Sequence, residues 1–238
     1  MTDQKIGLES VAIVIKGLFN AAIFSPQWFR DQNLVGSAEM ATQQIDLITR
    51  DIAVFRMGWL SCQVNPEGLQ LSTSEPEEFE RLRDAAIGVL RILAHTPISA
   101  LGINRDVHLS VDSEERWHKI GDVLTPKTIW EDSLSSPGMK NVTIWGARPD
   151  EYAGRVQVQV EPSARIPLAV FVGHNDHFTL TLAGSRAQLR PVTLDLTKQD
   201  VEATSGKIPV ALKILTERWS NSLSRADRVA IMISKLGA

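Results

Sequence analysis

The sequence predicts an α+β fold: a mainly antiparallel sheet covered by long helices, in two similar halves that each run β-meander then helix. Three observations predict it. β-branched runs and two-residue alternations recur between turn signals. Apolar residues at spacings of three and four run from Phe79 to Leu93. A second stripe of that kind, Leu212, Leu215, Trp219 and Leu223, lies near the end of the chain. Strand clusters followed by covering helices are the layer solution of α+β proteins.

Val11 to Ile15 is a continuous β-branched run and reads as a strand covered on both faces. Ser25-Pro26 starts a short helix or turn anchored by Trp28 and Phe29. Residues 43–73 read as a meander, with the turn Asn65-Pro66-Glu67-Gly68 setting 59–64 against 69–73 as a hairpin. Ser74 with Glu77 fits a capping box for a helix over about 75–94, which Thr96-Pro97 stops. Residues 98–111 form a long strand. Its odd positions, Leu101 to Val111, are mostly core-facing; its even positions pass from Ile98, Ala100 and Gly102 to Asn104, Asp106, His108 and Ser110. A helix near Ser113 turns Trp117, Ile120 and Leu124 inward.

The second half repeats the plan. Strands are expected over 142–145, 155–160, 166–172 and 177–182, with Gly173 to Asp176 as a tight connection between the last two. Leu194 and Leu196 add a short strand before the final helical region. The division is 1–124 and 139–238, with the Pro- and Ser-rich 125–138 as a hinge, or one composite domain. This order of elements resembles the saddle of TATA-binding proteins; a ferredoxin-like arrangement fits it too.

Composition bounds the function. The 238 residues are 43% apolar and 22% charged, as in folded globular proteins. A net charge of −3 counts against a general nucleic-acid binder without excluding a local basic patch. The lone cysteine, Cys62, reads as a small buried hydrophobe rather than a nucleophile. No signal peptide is visible and no apolar run reaches membrane-helix length, so a cytoplasmic protein without membrane contact is expected.

Nucleotide-binding, hydrolase-elbow and zincin fingerprints are all absent. Three features remain. Asn104, Asp106 and His108, spaced by two, share one strand face at roughly 7 Å intervals, as a polar-ligand row, as an Asp106–His108 pair acting as a base, or as a wet sheet surface or one hydrogen-bonded to a neighbouring element. His174 and His177 flank Asn175-Asp176, a set with metal-capable donor types that also spells a turn; no metal or cofactor is expected. Among six tryptophans, Trp59, Trp117, Trp145 and Trp219 look core-facing or close to element ends, while Trp28 and Trp130 are candidates for a partner contact or for plugging the core. Arg218, Arg225, Arg228 and Lys235 read mostly as a solvated helix face.

Leu69-Gln-Leu-Ser-Thr73, the helix from Glu77, and Ala100-Leu-Gly-Ile-Asn-Arg105 resemble a sporadically distributed family of uncharacterised prokaryotic proteins. The resemblance covers the first half. It implies an accessory protein of a multi-protein system and brings no catalytic residues. The expected function is therefore a non-enzymatic binding or assembly protein, self-associating or bound to a protein partner. The alternatives are a small-ligand protein or hydrolase using Asp106 and His108 with His174 or His177, and nucleic-acid binding by a sheet face.

Overall fold

The computed structural model describes residues 6–180 and 206–236. Nine strands form one antiparallel sheet: β1 (Ile6–Gly17), β2 (Gln44–Ile48), β3 (Ala53–Met57), β4 (Leu60–Asn65), β5 (Gly68–Thr73), β6 (Ile98–Ser110), β7 (Val142–Ala147), β8 (Gly154–Pro162) and β9 (Ala169–Thr179). Their order is β2-β3-β4-β5-β1-β6-β9-β8-β7. The helices are α1 (Pro26–Asp31), α2 (Ser37–Ala41), α3 (Phe79–Ile92), α4 (Glu114–Leu124), α5 (Ile208–Glu217) and α6 (Trp219–Lys235).

The sheet has two unlike faces, and the pairing register assigns every residue to one. Phe55, Cys62, Leu71, Ile13, Ile103 and Asp176 are successive cross-strand partners, and all are buried. The helices pack on this side. Phe29 of α1 meets Phe55 edge-on, with ring centroids 5.8 Å apart. Phe79, Leu82, Ala86, Val89 and Leu90 of α3 are buried, as the apolar stripe requires. The adjacent positions Arg56, Ser61, Ser72, Ala12, Asn104, Asn175 and Gln157 point the other way, and none is buried. No described helix lies on that face. Among the described residues, helices thus cover β1 on one side only: Val11, Ile13 and Ile15 are buried, whereas Ala12 and Val14 are half-buried.

Local signals hold where the side chains needed are neighbours in sequence. Ser25 Oγ accepts from the Trp28 amide at 3.1 Å and Ser113 Oγ from the Arg116 amide at 3.2 Å, starting α1 and α4. The β4–β5 hairpin closes at the turn of Asn65 to Gly68, with Asn65 paired to Gly68. The capping box expected at Ser74 is replaced. Thr73 Oγ1 accepts from the Glu75 amide at 3.2 Å, and a 3-10 turn over Pro76–Glu78 precedes α3.

The larger correction concerns residues 173–176. They make no turn: β9 runs unbroken through them, merging the two strands expected there. Asn-Asp favours a turn only where its backbone lacks better partners. Here β6 and β8 pair with β9 along both sides, so the ladders override local preference. The expected strand at Leu194 and Leu196 lies outside the described residues. Among those described, no helix is long and apolar enough to cross a membrane.

Candidate functional site

β9 divides the two histidines expected to act together. His174 lies opposite Arg105 and Val158 on the helix-covered face. His177 lies opposite Gly102 and Arg155 on the bare face. His108, also on the bare face, is six ladder positions from His177, roughly 20 Å along the strands. No shared proton or metal ion can link that pair. Among the described residues no group of three or more His, Cys, Asp or Glu could hold a metal ion.

On the covered face, β9 carries a buried ionic cluster. Asp176 is fully buried. Its Oδ1 accepts from Arg148, and its Oδ2 accepts from Arg225 Nη1 at 2.9 Å and Ser222 Oγ at 2.5 Å. Arg148 also forks onto Asp150 at 2.9 and 2.6 Å and lies over the Phe178 ring, 3.5 Å from its centroid. Burial pushes the Asp150 carboxyl up, but the Arg148 hydrogen bonds and charge outweigh it and hold the carboxyl below its ordinary value. The cluster ties the start of the β7–β8 connection and β9 to α6. Arg225, expected on a solvated helix face, is thus a buried-site ligand of Asp176, and Arg218 pairs with Glu151.

His174 sits beside this cluster, 2% exposed, and neither ring nitrogen has a hydrogen-bond partner among the described residues. Burial lowers its pKa to about 4, with Arg225 and Arg148 adding to the shift and Asp176 opposing it. It is neutral at pH 7. Arg105, its neighbour on β6, is likewise buried; it pairs with Glu9 and with Asp227 at 3.5 Å and lies over the Phe79 ring. Cys62 is buried, and its thiol is pushed far up by that burial.

The bare face has a polar centre. Asn104 and Asn175 are cross-strand partners at the middle of the sheet, and the Oδ1 of each is enclosed without a hydrogen-bond partner among the described residues. Gly102 and Gly173 precede them on their strands and leave the same face without side chains there. Asp106 lies opposite Gly173; burial raises its pKa, against the charges of Arg105 and Arg165. Burial and Arg165 lower that of His108, whose Nδ1 lies 2.8 Å from Ser163 Oγ while its ring stands against Phe171. The shifts favour the neutral forms of both, opposite to what an Asp–His ion pair needs. Burial, Arg155 and Arg148 also lower His177.

Trp28 packs tilted on Phe24 and edge-on to Phe29, at the margin of the core. Trp130 is 46% exposed in the turns between α4 and β7. Trp219 is buried and donates to Glu80 at 2.9 Å. Trp145, expected to look inward or cap an element, is 64% exposed on the edge strand β7. A strand over 142–145 is legible in the sequence, but its place at the sheet edge is set by strand order, which is not. The Asp176 cluster was equally hidden, because its cations lie 28 and 49 residues away. No protein-family model and no curated protein matches the chain.

Proposed function

We propose that this protein is a non-enzymatic binding or assembly protein whose working surface is the bare face of the sheet. One observation carries the reading: the central amides of Asn104 and Asn175, side by side on a face that no described helix covers, have no hydrogen-bond partner for their enclosed oxygens. The oxygens are enclosed, so a partner would meet the half-buried residues around them; because buried polar atoms are ordinarily paired, the two mark the polar centre of that face. Its charges are mixed, Lys16, Arg56 and Arg155 with Asp106 and Glu161, unlike the clustered cations that phosphate contacts need. This favours a protein partner over nucleic acid.

The order of elements supports the same reading. β1 and β6 lie together at the centre, each flanked by its own meander, and the chain runs strand, helix, meander, long helix twice. We take this as a saddle of two similar halves, like that of TATA-binding proteins. The resemblance of the first half to a prokaryotic family suggests a subunit of a larger complex.

Gly102→Leu tests the reading. A Cβ at Gly102 would meet Asn104 Oδ1 at 3.4 Å and Val14 at 3.8 Å, ordinary contacts, and the rest of the leucine would crowd the centre of the face, where Gly102 is buried. Tagged wild-type protein should retain a co-purifying partner or further copies, and Gly102→Leu should reduce that recovery about tenfold or more. A chain that stays alone, or a partner held equally by the variant, would count against it.

A further inference from the structure

The nine-stranded sheet ends at β2 and β7, and no described strand pairs with the outer side of either. An open edge is a template for further pairing, and proteins that stay monomeric protect it with charges, prolines or bulges. β2 carries such protection: its register shifts between Ile45 and Leu47, at the charged Asp46. β7 carries none. Its six pairs with β8 run without a shift, and residues 141–147 contain neither a charge nor a proline. Ile144 and Trp145 are 65% and 64% exposed. As consecutive strand residues they project to opposite faces, Ile144 beside Val158 and Trp145 beside Gln157. Both sides of this edge are therefore apolar.

We propose that β7 is a self-association edge, joining two copies of this chain β7 to β7 in antiparallel fashion about a two-fold axis. A second copy fits as the occupant, because it presents the same unshifted, uncharged edge and a neutral strand laid antiparallel on itself opposes no like charges. The axis stands perpendicular to the sheet, so helices stay on one side and the bare faces of both copies form one surface. That continuity fixes parity. Residues facing each other across the axis must share a face, so Trp145 lies across from Thr143, Trp145 or Ala147 of the second copy, never from Ile144. A tryptophan at the centre of such a contact is a common hot spot. This inference deepens the assembly reading above and rests on it.

The test is the mass of the full chain by light scattering over a wide concentration range, with amide exchange of residues 142–147 followed in parallel. Wild type should reach twice the 26.3 kDa chain mass. Its β7 amides should exchange faster as it dissociates on dilution. Ile144→Lys and Trp145→Lys should weaken the dimer more than tenfold, whereas Ile45→Lys on β2 should leave it unchanged. A monomer at every concentration, a dimer that survives both β7 substitutions, equal loss with Ile45→Lys, or exchange independent of concentration would each overturn the proposal. The exchange measurement needs no variant, so a poorly folding substitution does not spare it. A monomer that still carries a different protein would remove β7 self-pairing and leave the binding reading intact.

Discussion

His174 is an imidazole without a hydrogen-bond partner, enclosed between a sheet and a helix and next to two arginines. Its pKa of about 4 lies below the ordinary 6.5, so the unfolded chain takes up the proton first as pH falls. Stability from this residue is complete above pH 6.5, declines between 6.5 and 4, and declines no further below. The loss is about 3 kcal/mol. His174→Phe should be at least as stable as wild type at pH 7, since no hydrogen bond is lost, and its urea midpoint should lack that part of the acid decline. Asp176 is the opposite case. Asp176→Ala removes the fully buried carboxylate between Arg148 and Arg225, leaving them only Asp150, and should cost about 3–5 kcal/mol in urea unfolding. A loss below about 1 kcal/mol would show that water already screens the cluster. Neither residue betrayed this role locally: Asn175-Asp176 reads as a turn until the cations from distant elements are known.

At the scale of elements, a single carboxylate holds α2 in place. Glu39 accepts from the Gly36 amide at 2.9 Å, Trp59 Nε1 at 3.2 Å and Arg81 Nη2 at 2.7 Å, joining α2 to the β3–β4 turn and to α3. The Arg81 hydrogen bond leads in lowering its pKa to about 2. The anion is thus kept until strongly acid pH, and its contribution is lost as pH falls from about 4.5 towards 2. Glu39→Ala strands the Trp59 and Gly36 donors and should cost about 2 kcal/mol, with amide exchange rising first in residues 37–42. Elements were legible in the sequence where period and caps sufficed. The alternation of β8, the stripe of α3 and the serine start of α4 are examples. They were illegible where a ladder or a remote charge decided the outcome, as in β9.

Among the described residues the sheet is one-sided, with helices against one face and a polar surface, small at its centre, on the other. The sequence-predicted candidates divide accordingly. Asn104, Asp106, His108 and His177 share the bare face, while His174 faces the core. A row spaced by two on β6 was readable from the sequence, because parity within a strand is a local property. Which residues of β9 join that row depends on register, which is not. Strand order also determines that β7 is an edge, and with it that Trp145 is open. On the proposed reading, this surface serves binding and assembly. Native mass spectrometry of the gently purified full chain tests it most directly. A species heavier than the 26.3 kDa chain is expected, containing further copies or a bound protein and shifting to the bare chain when the sheet face is obstructed by Gly102→Leu or the β7 edge is charged by Trp145→Lys. A single unaccompanied chain under every condition would contradict it.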